Sequence, residues 1–372
     1  MHCLHAGMQY TLLLTTVNPS KAIWDGPGMS LAAAMDTFGA HEALALDPGS
    51  LKACLAGKLA AAPAASVFVD RNQTSKFTGR ALAALEVATP QHPLHDTEPL
   101  QPLMHRLRWR KSAGECAALR ASAAAAAAAM RTCMAATRPG VSEGALEATF
   151  DFLCRSRGGA QAPAFPAVVG GGANACTIHH RHTDEILREG DCVLMDAGGE
   201  RWGYCSDVSR TWPVDGRFRK PHRVVYEHVA EVHRACVEAC VAGATLVDVH
   251  ALSREMLTRS LRDIGVDLDG IDMRAFYPHS VGHWLGMDVH DVASVSHASH
   301  LQPGVVLTIE PGLYLRDLSG RVPREFVNIG VRIEDDVLVT AGAPEVLSEH
   351  GVAPVAADEV EALVGTQPSW LV

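Results

Sequence analysis

Four acidic residues beside apolar runs constrain the fold more than any other feature of this 372-residue sequence. Asp196 follows the run CVLM, Asp207 precedes VSRTW, Glu310 follows VVLTI and Glu334 follows GVRI. Such runs are typical of strands, in which a carboxylate is rarely buried without a cation or another partner. Taken singly, each acidic residue could be an ordinary edge or turn residue. Together they predict a cation site between strands.

The first two carboxylates are predicted to face each other across a hairpin. A glycine-containing turn centred on residues 200–203 would pair Asp196 directly with Asp207. Directly opposed residues have Cβ atoms ~5 Å apart, and like charges there repel. A cation bound between the two carboxylates would remove that repulsion.

Three histidines lie between the two acidic pairs, in the segment YPHSVGHWLGMDVHD. They are His279, His283 and His290. A lone histidine is usually an ordinary core or surface residue. Four carboxylates with one imidazole suit a hard or borderline divalent ion, with Mn²⁺ the first candidate and Zn²⁺, Co²⁺ or Fe²⁺ as alternatives. Because these ligands exceed the needs of one ion, we predict two ions ~3.5–4 Å apart that activate a bridging water as hydroxide.

The chain is predicted to form two domains. Residues 10–100 alternate short apolar runs with Ala- and Leu-rich helical stretches, a pattern that indicates a small α/β domain. The segment from Ala88 to Pro102 holds four prolines and is the predicted linker. We therefore place domains at residues 1–102 and 103–372. One long helix is expected to open the second domain from Met104 to Met130, with its alanine run 123–129 on the surface.

The second domain is predicted to be α+β with two similar halves. In the first half, a helix near residues 143–155 precedes strands around Val193 and Val208. In the second, helices near 223–240 and 247–264 precede strands around Ile309 and Ile333. Two such halves would enclose the carboxylates between their sheets.

Composition excludes several functional classes. The formal net charge of −10 argues against nucleic acid or anionic lipid as a partner. Ten cysteines without a CxxC pair predict free thiols in a reducing compartment. The amino terminus has neither a basic leader nor a small-residue cleavage site, so we expect no secretory signal, and the alanine run is too short to span a bilayer.

Several motifs together resemble one family. DAGG, SDVSRTWPVDGRF, HSVGHWLGMDVHD, TIEPGLY and GVRIEDD are similar to the creatinase/methionine-aminopeptidase, or pita-bread, metallopeptidases, and within them to the aminopeptidase P group. The segment AFPAVVGGGANACTIHH most resembles the mitochondrial and plant intermediate-cleaving members. The resemblance implies a pita-bread catalytic domain of two pseudo-symmetric halves. It also implies a preceding creatinase-like α/β domain that is shorter than is usual in the family.

The resemblance also implies roles for individual residues. Asp196 would bind one ion, Asp207 and Glu334 would bridge both, and His283 and Glu310 would bind the other. Glu310 would also handle the proton of the bridging water. Arg332 would orient Asp196, and the remaining residues would contact the substrate or leaving group: His179, His279, His290 and Trp24, the last from the stretch WDGP.

The implied activity is removal of the N-terminal residue from peptides or proteins with proline in second position. A prolidase restricted to Xaa-Pro dipeptides, a methionine aminopeptidase and an intermediate-cleaving aminopeptidase would use the same ligands. A non-catalytic pita-bread binding module is a further alternative, although such modules lose metal ligands. The expected assembly is a homodimer or larger. The expected compartment is a mitochondrion or plastid if a leader is missing from this chain, and the cytoplasm otherwise.

Overall fold

The computed structural model describes residues 10–15, 20–61, 67–69, 94–96, 100–316, 318, 320–348 and 353–366. The chain is divided into two compact units, Met1–Leu103 and Met104–Val372. Among the residues described, no helix is both long enough and apolar enough to cross a bilayer.

The described part of the first unit contains two parallel strand pairs. Strand β1 (Thr11–Leu14) pairs with β2 (Glu42–Ala45), and β3 (Val67–Val69) pairs with β4 (Leu94–Asp96). Helices α1 (Ala22–Asp25) and α2 (Leu31–Phe38) lie between β1 and β2, and α3 (Pro48–Ala61) follows β2. Helix α2 begins at Ser30, whose hydroxyl accepts a hydrogen bond from the Ala33 amide. Most of the predicted linker lies outside the described residues, but it includes β4 and the start of the next helix.

The predicted single helix from Met104 to Met130 is wrong. Helix α4 (Leu100–Trp109) ends before Lys111, and α5 (Ala113–Ala136) begins after Ser112. Ser112 accepts a hydrogen bond from the Glu115 amide, and the Glu115 side chain accepts one from the Ser112 amide. This reciprocal cap starts a new helix because it satisfies amides that a continuous helix would bond internally.

Most of the alanine run in α5 is buried, whereas the prediction placed it on the surface, and only Ala128 is exposed. Ala123, Ala126 and Ala127 are each fully buried. A Cβ placed on Gly158, which follows α6 (Glu143–Ser156), would lie 2.6 Å from the Ala125 side chain. Small side chains in this stretch therefore allow close packing of the following segment, which helix propensity alone does not reveal.

The strands of the second unit form small antiparallel sheets, and the α+β class is confirmed. One sheet of the first half has the order β10 (Val208–Pro213), β7 (Cys192–Ala197), β6 (Val168–Gly171). In the second half, one sheet has the order β11 (Val306–Ile309), β14 (Asp335–Leu338), β15 (Glu345–Val346), and another pairs β12 (Gly312–Leu315) with β13 (Ile329–Arg332). An isolated bridge between Ser209 and Glu334 joins the two halves. Helices α7 (Lys220–Glu238) and α8 (Leu246–Asp263) lie between them in the chain, and α9 (Ala357–Leu363) follows. The remaining strands of this unit are β5 (Ala162–Pro163), β8 (Gly199–Arg201) and β9 (Tyr204–Cys205), which form a further antiparallel sheet in that order.

The predicted direct pairing of Asp196 with Asp207 is wrong by two residues. Asp196 lies opposite Ser209 in the β7–β10 pair, and Asp207 falls between β9 and β10. The turn is at Trp202 and Gly203, whose φ angles are 54° and 77°. Positive φ at both central residues is the geometry of a tight type I′ hairpin. That geometry moves the turn centre one residue further along the chain than expected.

Candidate metal centre

Asp207, His283 and Glu334 converge on one point. Each offers one ligand atom, and these three atoms lie within 4.8 Å of one another. His283 Nε2 is 3.4 Å from Asp207 Oδ2, and its Nδ1 is 3.2 Å from the Trp284 carbonyl oxygen. Since that carbonyl can only accept, Nδ1 carries the proton. The Nε2 lone pair therefore faces the carboxylates, as a metal ligand requires.

Contacts from neighbouring strands hold the two buried carboxylates. The Asp207 amide donates to the Asp336 carboxylate at 3.2 and 3.3 Å. The Ser209 hydroxyl donates to Glu334 Oε2 at 2.6 Å, and the Glu334 amide donates to the Ser209 carbonyl at 3.0 Å. Ser209 on β10 and Glu334, in the break between β13 and β14, thus bring together carboxylates from both halves of the unit.

Asp196 is fixed by one buried cation. Arg332 Nη2 donates to Asp196 Oδ2 at 2.7 Å. The same guanidinium donates from Nη1 to the Tyr314 hydroxyl at 2.7 Å and from Nε to Ser209 Oγ at 2.9 Å. Asp196 Oδ1 is buried and has no hydrogen-bond partner among the described residues, and the same holds for Asp207 Oδ1.

Glu310 and His279 complete the cluster. Glu310 lies in the break between β11 and β12, with Oε1 3.8 Å from His283 Nε2 and Oε2 3.4 Å from His279 Nδ1. The His279 ring also has Nδ1 2.8 Å from the Ser280 carbonyl and Nε2 2.8 Å from the Tyr314 hydroxyl. Because Nδ1 donates to the carbonyl, Nε2 accepts from Tyr314.

The charges of this site are poorly compensated without a cation. Burial raises the pKa of Glu310 to about 7. Burial and the neighbouring carboxylates raise the pKa values of Asp207 and Glu334 well above their usual range. Burial, assisted by the Arg332 charge, lowers the pKa of His279 to about 3. Crowded carboxylates, two of whose buried oxygens have no partner in the part of the chain that the structure describes, match the donor set of a cationic centre.

Of the other predicted substrate residues, His290 and His179 belong to the same unit as this cluster and Trp24 does not. The His290 ring centroid is 4.3 Å from that of His283, and the side chain is exposed. Partial burial of its ring and the neighbouring imidazoles of His283 and His179 lower the pKa of His290, so His179, itself exposed, lies near His290. Trp24 belongs to the first unit, where its side chain is 84% exposed.

Sequence reasoning missed Ser209 and Tyr314. Both stand inside motifs that were singled out, SDVSRTW and EPGLY. The alternation of β10 would have placed Ser209 on the face of Asp207, which was the available signal. No comparable signal exists for Tyr314, whose hydroxyl meets Arg332 and His279 only in the folded chain.

Residues 117–341, more than half of the chain, match the model of metallopeptidase family M24. The chain belongs to metallopeptidase family M24. Membership implies divalent metal ions, and the M24 match covers all five predicted ligands, which are Asp196, Asp207, His283, Glu310 and Glu334.

Named relatives agree with this membership. The chain is 35% identical over 339 residues to human Xaa-Pro aminopeptidase 3, covering 89% of this chain and 66% of that protein. It is 40% identical over 275 residues to "Intermediate cleaving peptidase 55, mitochondrial" of Arabidopsis thaliana, covering 73% and 54% respectively. The chain thus spans between half and two thirds of the length of these relatives.

Solved structures confirm the pita-bread α+β fold of this M24 member. Pseudomonas aeruginosa aminopeptidase PepP has a TM-score of 0.85 at 33% identity, covering 96% of this chain and 83% of that one. Proline aminopeptidase P II from Yersinia pestis has a TM-score of 0.83 at 33% identity, covering 95% and 83%.

Proposed function

We propose that this chain is a metalloaminopeptidase that removes the N-terminal residue from peptides and proteins whose second residue is proline. The observation that carries the proposal is the convergence of Asp207, His283 and Glu334, with Glu310 beside His283. Asp196 and Asp207 each add a buried carboxylate oxygen that lacks a partner among the described residues. The similarity to Xaa-Pro aminopeptidases supplies the reaction and the proline preference.

We further propose two divalent ions, with Mn²⁺ the first candidate and Zn²⁺, Co²⁺ or Fe²⁺ as alternatives. Asp196 would hold one ion, His283 and Glu310 the other, and Asp207 and Glu334 both. Ions held there would polarise the scissile carbonyl and lower the pKa of a water molecule between them.

The protein's own groups would move the proton and hold the peptide. The Glu310 carboxylate is suited to accept a proton, since its pKa is about 7 in the metal-free protein. Arg332 would keep Asp196 in its ligating orientation through the 2.7 Å bond. His279, held neutral by burial, would contact the reacting end of the peptide. We assign His290, His179 and Trp24 to substrate contacts.

The organisation of the whole protein is also proposed. Residues 1–102 would form a partial creatinase-like domain and residues 103–372 the pita-bread catalytic domain. A homodimer or larger assembly and a mitochondrial location are proposed, the latter from the similarity to a relative named as mitochondrial. Light scattering of the purified protein and fractionation of cells expressing the full-length gene product test these two points.

The test of function is peptide hydrolysis by metal-stripped protein resupplied with Mn²⁺. The substrates are Xaa-Pro-Xaa tripeptides, Xaa-Pro dipeptides, and the same tripeptides with alanine replacing proline. Glu310→Ala is the inactive control, and Glu325→Ala, on an exposed residue, is the matched neutral control. Mn²⁺-dependent cleavage of Xaa-Pro-Xaa that is lost only in Glu310→Ala supports the proposal. Cleavage of dipeptides alone would make the protein a prolidase, and metal binding without cleavage would make it a binding module.

A second candidate is intermediate-cleaving activity on proteins without a proline requirement. It rests on the 40% identity to the Arabidopsis relative and the 41% identity, over 185 residues, to the Saccharomyces cerevisiae intermediate cleaving peptidase 55. Comparable cleavage of the alanine and proline tripeptides would favour this candidate.

A further inference from the structure

A buried carboxylate directly follows His290. Asp291 is 3% exposed, and its amide donates to the Trp284 carbonyl at 2.9 Å. Trp284 is itself the neighbour of His283. This backbone hydrogen bond therefore holds Asp291 next to Trp284, and with them the preceding residues His290 and His283.

Two cations reach the Asp291 carboxylate, Arg108 from the last turn of α4 and Lys111 from the connection between α4 and α5. Lys111 Nζ lies 3.3 Å from Asp291 Oδ2, with both side chains 1% exposed. Arg108 Nη2 donates to Asp291 Oδ1 and also to Asp288 Oδ2 at 2.6 Å. A Cβ placed on Gly286 would lie 2.1 Å from Asp291 Oδ2, so the loop leaves room for this carboxylate only because residue 286 is glycine.

The residue after Asp291 has a strained backbone. Val292 is 2% exposed and has φ of 41°, in the left-handed region that β-branched residues rarely adopt. The Val295 amide donates to the Val292 carbonyl at 2.8 Å, and Trp284 Nε1 donates to the Val295 carbonyl at 3.0 Å. Such strain persists only where surrounding contacts over-determine the backbone, and it clusters at functional sites.

We propose that Asp291, clamped by Lys111 and Arg108, is a positioning residue that sets the place of His290 beside His283. The inference rests on the proposed function, which assigns His290 to the substrate. In this clamp, Lys111 contacts one oxygen of the Asp291 carboxylate and Arg108 contacts the other. Two contacts from different directions fix the orientation of the Asp291 side chain. If the only role of these residues were to fill buried space, apolar side chains of similar size could replace the ion pair, often at no cost in stability.

The experiment is a double-mutant cycle between Lys111→Met and His290→Ala, measured on Xaa-Pro-Xaa tripeptides with Mn²⁺. Lys111→Met keeps the length of the side chain and leaves Asp291 paired with Arg108. We expect kcat/KM to fall roughly 10- to 100-fold, as for a displacement of about 1 Å in a substrate-positioning group. In the His290→Ala background the same substitution should change kcat/KM less than about 2-fold, because its effect acts through that imidazole. An equal loss in both backgrounds overturns the proposal.

A control at a second, more exposed ion pair tests whether the loss of any ion pair in this unit lowers activity. Arg120→Gln removes another ion pair of this unit, in which Arg120 Nε donates to Glu345 Oε1 at 2.6 Å. This variant should leave kcat/KM on the tripeptides unchanged. Should Lys111→Met and Arg120→Gln lose activity equally, the Asp291 clamp has only a structural role.

Backbone hydrogen exchange tests the clamp without using activity. In Lys111→Met, amides of residues 284–297 should exchange faster than in the wild type, while Arg120→Gln should not change them. If wild-type protein cleaves none of the tripeptides, the proposed function fails, and this readout still decides whether the clamp orders the loop. Unchanged exchange in Lys111→Met contradicts the proposal whatever the activity.

Discussion

Arg332 and Asp196 form a 2.7 Å ion pair between β13 and β7, with the guanidinium 2% exposed and the carboxylate 16% exposed. The pair uses only Asp196 Oδ2 and leaves Oδ1 without a partner among the described residues. The remaining nitrogens of Arg332 reach Tyr314 and Ser209. A single guanidinium thus connects the ligand candidates of both halves, which makes it the first residue to vary.

Arg332→Lys should lower kcat/KM about 10- to 100-fold, because one ammonium group cannot reproduce the three directed contacts. Tyr314→Phe removes only the hydroxyl that joins Arg332 to His279, so its effect should be smaller. Kinetics at saturating Mn²⁺ and metal content after dialysis are the measurements. Wild-type kinetics in Arg332→Lys would show that the ion pair does not orient Asp196.

Ser209→Ala should weaken metal affinity about 10-fold or more, since outer contacts of ligands typically contribute 10- to 100-fold. The substitution removes the donor to Glu334 Oε2 and the acceptor of Arg332 Nε. Titration calorimetry with Mn²⁺ on the metal-free protein measures the affinity. Ser156→Ala, on an exposed residue at the end of α6 in the same unit, is the control and should bind Mn²⁺ as the wild type does.

Metal removal should make stability depend on the protonation of Glu310. Its pKa rises from 4.5 to about 7 on folding. Protonated Glu310 therefore contributes fully to the free energy of unfolding below pH 4.5, and this contribution is lost as pH rises towards 7. The loss is about 1.4 kcal/mol per pH unit within that window. Histidines with lowered pKa values, such as His279, act in the opposite direction, so the informative quantity is a difference between two proteins.

The comparison is between metal-free wild type and metal-free Glu310→Gln, by thermal unfolding from pH 4.5 to 7.5. The melting temperature of the wild type relative to the variant should fall as pH rises. Mn²⁺ should reverse this fall in the wild type, because a bound cation compensates the carboxylate charge. A constant difference across the range would rule out a raised Glu310 pKa.

His279 should stay neutral throughout the range in which ordinary histidines titrate. Burial and the Arg332 charge lower its pKa to about 3. In the NMR spectrum of metal-free protein, its ring signals, assigned by comparison with His279→Gln, should not shift between pH 5 and 8. An inflection in that range would mean that the imidazole carries a proton which the Tyr314 contact does not predict.

The sequence by itself determined the class of fold and indicated a charged centre built from carboxylates. Acidic residues within apolar runs are costly unless compensated, so Asp196, Asp207, Glu310 and Glu334 together pointed to one charged centre. The helices near residues 143, 223 and 247 and the strands between them followed from periodicity and lie where they were predicted. Such local patterns are reliable because the spacing of apolar residues along the sequence reflects which side chains are buried.

Tertiary structure decided how those residues are held. The type I′ geometry at Trp202 placed Ser209 rather than Asp207 opposite Asp196, and a cap at Ser112 divided a helix that looked continuous. Close packing buried most of the alanine run of α5, although alanine is equally suited to a surface helix. The contacts of Arg332 with Tyr314 and of Lys111 with Asp291 join residues 18 and 180 positions apart. Distant contacts leave no local pattern, since their geometry exists only once the strands and loops have packed.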